Sequence, residues 1–380
     1  MYKDIVSFIR KTFNSQGFIP LHETRFIGNE KKYLSDCIDS TFVSSVGKYV
    51  DEFEKKIREF TGAKYAIATV NGTAALHTAL ILAGVKEGDL VITQPLCFIA
   101  TSNAISYQKA IPLYVDVDKE TLGLSPEKLA EFLSSNAILK DDGFSYHKES
   151  GKRISACVPM HTFGHPVRLD EIKVVCEEYN IILIEDAAES LGSTYKAKQT
   201  GVLGKIGAYS FNGNKTITCG GGGIVVTDDE VIGKRAKHIT TTAKVPHAWD
   251  FVHDEIGYNY RLPNINAALA CAQMEQIDGF IQRKRELAEV YQNFFGNLSI
   301  KFMTEPDGCK SNYWLNAILL KDKTERDEFL KFTNQHEVMT RPCWTLMNKL
   351  EMFKNCPTGN LDNSEWIESR LVNIPSSVIV

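Results

Sequence analysis

The chain has 380 residues, 43% hydrophobic and 24% charged, with a formal net charge of −4. This is the mix of an ordinary soluble globular protein, long enough for one large domain or a large one plus a small one. The absence of any basic run argues against nucleic acid as the main partner, and no segment approaches the roughly 20 apolar residues that span a bilayer.

The N-terminal MYKDIVSFIRKTF alternates charge and apolar residues at helical spacing and lacks the uninterrupted apolar stretch of a signal peptide, so a cytoplasmic protein is expected. Nine cysteines with no C-x-x-C pair read as reduced thiols, and Cys157 and Cys176 sit inside apolar runs as small hydrophobes.

Seven short apolar runs follow in order: YAIATV (65–70), LVITQP (90–95), IPLYVDV (111–117), ISACVPMH (154–161), NIILIED (180–186), IGAYSFN (206–212) and GGIVVT (222–227). Continuous apolar strands suit a sheet covered on both faces. Helical segments such as TAALHTALILAG and LDEIKVVCEEYN lie between them, which predicts an α/β fold with a mostly parallel seven-stranded sheet between helices. The polar stretch 136–153 reads as a surface loop. From about residue 262 the pattern becomes helical in one long run to NFF, followed by a strand-like NYWLNAILL and a charged helix, KTERDEFLKFTNQHEV. The expected division is 1–270, an N-terminal segment with the large domain, and 271–380, a smaller α+β domain.

In open α/β sheets ligands bind beyond the carboxyl ends of the strands. After the first run come Asn71, Gly72 and Thr73 and then a helix, an N-terminus suited to a phosphate with Thr73 as a possible cap. After the fifth come Glu185, Asp186 and Glu189, carboxylates that are costly at a buried strand end unless paired. After the sixth come Asn214, Lys215 and a run of four glycines, Gly220 to Gly223, which leaves room for a ligand or forms a hairpin into the next strand. An amine nucleophile, a carboxylate for a pyridinium and a phosphate-binding helix terminus are the parts of a pyridoxal 5'-phosphate site.

The chain resembles the DegT–StrS type of sugar-nucleotide aminotransferases, in the fold-type-I group of pyridoxal-phosphate enzymes. The resemblance runs from IPLHETRF to VNIPSS, through VNGTAALHTAL, PLCFIATSNAI, VPMHTFGHP, IEDAAESLGS, YSFNGNKTITCGGGG and IGYNYRLPNINAALACAQ. It looks closest to the branch of legionaminic and bacillosamine sugar synthesis. The resemblance implies that Lys215 carries the cofactor as a Schiff base and then moves the proton, that Asp186 faces the pyridine nitrogen, and that Gly72, Thr73 and Ser210 hold the phosphate. It also implies that Phe98 stacks on the ring, and that Asn259 reaches the phosphate of a neighbouring subunit. Arg261, Tyr313 and His161 belong on the substrate side. The implied partners are glutamate as donor, a UDP-linked 4-keto-6-deoxy-N-acetylhexosamine as acceptor, and a second copy in a homodimer with shared sites.

Two departures stand out. Many members have Gln at the position of Glu189, near the cofactor's phenolic oxygen, so this carboxyl is expected either to be protonated, its pKa raised, or to turn away. Many also continue beyond I-P-S-S, where this sequence ends at Val380. His161 and His165 have H-x-x-x-H spacing but bracket a loop with no Cys or carboxylate at hand, so no metal is expected. The nearest alternative activity is a sugar-nucleotide dehydratase of the same fold, whose members replace the lysine with His. A phosphate-binding NTPase is excluded because Asn214, not Gly, precedes Lys215.

Overall fold

The computed structural model describes residues 1–298 and 300–379. All seven apolar runs form strands of one sheet: β1 (Tyr65–Thr69), β2 (Leu90–Thr93), β3 (Ile111–Tyr114), β4 (Arg153–Val158), β5 (Ile182–Asp186), β6 (Ile206–Ser210) and β7 (Gly223–Thr227). Their spatial order is β1-β7-β6-β5-β4-β2-β3. The five strands from β6 to β3 pair in parallel, and β7 runs antiparallel to both its neighbours.

Alternation along each strand assigns its side chains to the two faces. Ile184, Ala208 and Val225 pack with Ala75, Leu76 and Ala79 of the helix Gly72–Leu82. Tyr209, Ile224 and Val226 point the other way, against Phe53 and Ile57 of the helix Lys48–Thr61. Leu183 shares that second face with Ile172 and Cys176 of the helix Leu169–Glu178. Both faces are therefore apolar, which is why the strands read as unbroken hydrophobic runs.

Three expectations change. The stretch 136–153 is not a plain loop: Ala137–Leu139 and Ser145–His147 pair as a hairpin, and the second strand joins β4. The long helix after 262 is two helices, Asn264–Met274 and Ile277–Gly296. The second helix passes from one core to the other: Ala267, Cys271 and Phe280 belong to the cluster under the main sheet, Leu287, Tyr291 and Phe295 to a separate one. That second cluster also takes Ile5, Val6 and Ile9 of the N-terminal helix Tyr2–Thr12. Finally, the run NYWLNAILL is extended only over Asn316–Leu319, in a four-stranded antiparallel sheet with Lys301–Phe302, Arg341–Pro342 and Leu371–Ile374. Among the described residues no helix is long and apolar enough to cross a membrane.

Candidate active site

The ends of β1, β5 and β6 open into one cavity of about 300 Å³. Its lining includes Gly72, Thr73, Phe98, Asp186, Glu189, Ser210 and Lys215, seven of the residues singled out in the sequence, together with Asn71, Thr101, Asn214, Trp314 and Trp344.

On one side is the start of the helix Gly72–Leu82. Asn71, not Thr73, is its cap: the Asn71 Oδ1 accepts from the Ala74 N–H at 2.8 Å. This leaves the N–H groups of Gly72 and Thr73 without a partner among the described residues, as the first turn of any helix does. Gly72 lies so close to Ser210 that a Cβ there would come within 2.7 Å of the Ser210 Cβ. Only glycine lets this helix end and the Ser210 hydroxyl share one anion-sized recess. The glycine run serves packing instead of a ligand. Gly220 to Gly223 do not line the cavity, and a Cβ at Gly223 would lie 2.3 Å from the Asn71 carbonyl oxygen.

The two carboxylates ending β5 have separate environments. Glu185, fully buried, accepts from the N–H groups of Gly201, Leu203 and Gly204 at 2.6, 2.6 and 2.5 Å and contacts His161 Nε2 at 3.1 Å. It locks the 201–204 turn and does not reach the cavity. Asp186 lines the cavity, its Oδ2 accepting from Thr101 Oγ1 at 2.6 Å and its Oδ1 from the Ala188 N–H at 3.1 Å. Burial pushes its pKa up, opposed by those two donors and by the Lys215 charge.

Lys215 Nζ stands 3.3 Å from Glu189 Oε1 and 4.1 Å from the centre of the Trp314 ring. Glu189 does not turn away: its Oε2 accepts from the Phe163 N–H at 2.9 Å, and burial raises its pKa to about 7 against the lowering effect of Lys215. Phe98 is half exposed above the opening, its ring edge-on to Trp344 at 6.3 Å.

Four expected residues lie elsewhere. His161 is fully buried and its ring is engaged, Nδ1 accepting from the Val167 N–H at 3.2 Å, so that Nε2 carries the proton toward Glu185. His161 does not line the cavity. Tyr313 also turns away: at φ 47 its backbone leaves the extended region, and its hydroxyl accepts from the Glu305 N–H at 3.0 Å inside the C-terminal core. The next residue, Trp314, takes the place at the cavity. Asn259 and Arg261 are outside it, at the protein surface. Arg261 donates through Nε and Nη2 to Asn259 Oδ1 at 3.1 and 3.0 Å, and its backbone pairs with Thr69 at the end of β1. Asp254, the nearby carboxylate that could have held Arg261, pairs instead with His238 at 2.6 Å. No group of three His, Cys, Asp or Glu among the described residues is arranged for a metal.

Residues 25–379 match the DegT/DnrJ/EryC1/StrS aminotransferase family. The chain belongs to this family. It is 37% identical over 336 residues to a GDP-perosamine synthase of Escherichia coli O157:H7, covering 88% of this chain and 87% of the relative. It is 36% identical to EpsN of Bacillus subtilis (strain 168), a candidate pyridoxal phosphate-dependent aminotransferase, covering 86% of this chain and 81% of EpsN. The crystal structure of a DegT DnrJ EryC1 StrS aminotransferase from Brucella abortus superposes with a TM-score of 0.83 at 25% identity, covering 92% of this chain and 90% of that one.

The protein is thus a pyridoxal-phosphate-dependent aminotransferase of the sugar type. The residues present fit that cofactor. The recess between Gly72 and Ser210 suits a phosphate, the buried Asp186 suits a protonated ring nitrogen, and Lys215 supplies an amine inside the same cavity. Trp314, Trp344 and Thr101 line the cavity without having been singled out from the sequence. The signal available for the first was an aromatic residue beside Tyr313, displaced by one position.

Proposed function

We propose that the enzyme transfers an amino group from glutamate to a nucleotide-linked keto sugar, with Lys215 and Asp186 as its catalytic pair. The observation that carries the reading is the Lys215 amine, which lies in one cavity with the Asp186 carboxyl and the open helix terminus at Gly72. When bound, pyridoxal phosphate supplies an aldehyde carbon for the amino group and a pyridinium that accepts electron density as a C–H bond breaks. Lys215 would move the proton, its amine lying inside the cavity. Asp186, held by Thr101 and Ala188, keeps a positive charge on the ring nitrogen. Gly72, Thr73 and Ser210 would hold the phosphate, and Glu189 and Phe98, which line the same cavity, would flank the ring and help to orient it. Lys215 separates this reading from the dehydratase alternative.

The acceptor is proposed as GDP-linked, in place of the UDP-linked sugar first expected, because relatives at 37% and 33% identity are named GDP-perosamine synthases. A UDP-linked N-acetylhexosamine, as in the legionaminic and bacillosamine branch, is the second reading. The proposal includes a cytoplasmic two-fold dimer in which Asn259 and Arg261 serve the neighbouring site. It also includes a division near residue 270, with the first helix riding on the C-terminal unit. Mass spectrometry of products from glutamate and a panel of GDP- and UDP-linked 4-keto sugars tests it. Amination of a GDP-linked member is expected; amination of UDP-linked members alone moves the enzyme to the second reading, and none at all removes nucleotide sugars as substrates.

A further inference from the structure

The Lys215 amine has one hydrogen-bond partner among the described side chains, and that partner is itself titratable. Glu189 Oε1 lies 3.3 Å from Nζ, and the ring of Trp314 covers Nζ from another side at 4.1 Å. The Glu189 side chain is 1% exposed and that of Lys215 12%, so water has little access to either. The Phe163 N–H, bonded at 2.9 Å to Oε2, fixes the carboxyl's rotation and leaves Oε1 aimed at the amine.

We infer that Glu189 is the proton partner of Lys215, taking a proton from the Lys215 ammonium whenever that amine must be free and returning it afterwards. The step is balanced within the pair: one N–H bond breaks, one O–H bond forms, and no other reactant takes part. It rests on the assignment of Lys215 as the cofactor lysine.

The neighbouring groups favour this role for Glu189 over Asp186. Asp186 has two donors, Thr101 and Ala188, that stabilise its charge, and none of its bonds goes to Nζ. Glu189 has one backbone donor and the lysine, and burial brings its pKa to about 7, where the carboxyl is as ready to hold a proton as to release one. The other titratable groups around the pair are the Asp186 carboxyl, which raises the Glu189 pKa, the buried Cys97 thiol, and His22, which feels the Lys215 charge and is itself held neutral by burial.

Glu189→Gln keeps the shape and the Phe163 bond while removing the titration. Two readouts use the whole protein. In the cofactor-free enzyme, labelling of Lys215 by trinitrobenzenesulfonate is followed by peptide mass spectrometry across pH 5–9 as probe conditions. Loss of the neighbouring carboxylate is expected to speed labelling at neutral pH by about tenfold or more, as removal of an opposite charge at this distance does. In the loaded enzyme, the rate at which glutamate bleaches the cofactor absorbance is followed against pH. The limb near neutrality in the parent enzyme is expected to vanish in Glu189→Gln and to persist, displaced, in Glu189→Asp. Coincident labelling and coincident pH profiles for parent and Glu189→Gln would overturn the inference. Borohydride trapping on another lysine would instead remove the assignment it rests on, and circular dichroism of each variant separates both from misfolding.

Discussion

The indole N–H of Trp314 donates to the backbone carbonyl of Asn214 at 2.7 Å, so a residue from the C-terminal part of the chain holds the turn that carries Lys215. Trp314 is held in turn by Asn312, whose Oδ1 accepts from the Trp314 N–H at 2.8 Å and whose amide donates to the carbonyls of Glu189 and Leu191 at 2.9 Å each. Trp314→Phe keeps an aromatic face toward Nζ and deletes the indole bond. A hydrogen bond of this kind is worth about 1 kcal/mol, so cofactor affinity is expected to fall roughly fivefold. Equilibrium titration of the apoprotein with pyridoxal phosphate measures it, and an unchanged Kd would show that the turn does not depend on Trp314.

Lys215→Ala is expected to abolish turnover and the borohydride-trappable adduct while leaving the fold intact. Lys215 is surrounded by the cavity on one side and is not part of any core cluster. Tryptic mapping of the reduced parent enzyme decides the assignment, since a labelled peptide without Lys215 contradicts it.

Asp186→Asn retains the size of the side chain and its contact with Thr101, and removes the charge that would hold a proton on the ring nitrogen. The loss is expected in the proton-transfer step, on the order of 10³-fold or about 4 kcal/mol of barrier. Rapid-mixing measurement of cofactor bleaching by glutamate reads that step directly. A rate within a few fold of the parent would remove Asp186 from the catalytic pair.

The seven strands were legible because both faces of the sheet are covered, which makes each strand apolar without interruption. Asp186 and Lys215 were legible because one ends β5 and the other lies in the turn after β6, whereas Ser210, the last residue of β6, was named only through the family resemblance. What escaped depends on contacts far apart in sequence. Nothing local distinguishes Glu185, tied to the 201–204 turn, from its neighbour Asp186, which lines the cavity. The resemblance alone put Tyr313 on the substrate side, and no local pattern shows that its left-handed backbone, at φ 47, turns it inward and leaves the cavity position to Trp314.

Glu189 also has a consequence for stability. Its folded pKa of about 7 lies above the ordinary 4.5, so between these values the folded state binds more protons than the unfolded one. Stability from this group is therefore full below about pH 4.5 and is lost as pH rises through about 7. At about 1.4 kcal/mol per unit, the loss is on the order of 3 kcal/mol for the cofactor-free protein. Asp186, also raised, acts with the same sign, so the comparison is between parent and Glu189→Gln. The fall in apoprotein Tm from pH 5 to 8 is expected to be smaller in the variant. Parallel Tm curves would show that Glu189 titrates normally.

Asn259 and Arg261 bear on assembly. They bond to each other at the surface, outside the cavity and beside the end of β1. The preceding segment carries Trp249, Phe251 and Ile256 at 77%, 79% and 85% exposure, an unusual amount of apolar surface for a free face and the kind that a second copy would cover. In a two-fold dimer the same patch serves both subunits, and the Arg261 fork is free to meet an anionic group of the neighbouring site by giving up a neutral partner for a charged one. Subunit exchange tests this. Lys215→Ala and Arg261→Ala proteins, each inactive alone, are mixed and allowed to exchange. If Arg261 acts across the interface, a mixed dimer has one pocket with both residues intact, so about half of its sites recover activity. If Arg261 acts within its own subunit, each mixed dimer keeps one pocket lacking Lys215 and one lacking Arg261. Exchange verified by mass spectrometry with no recovered activity would then confine Arg261 to its own subunit.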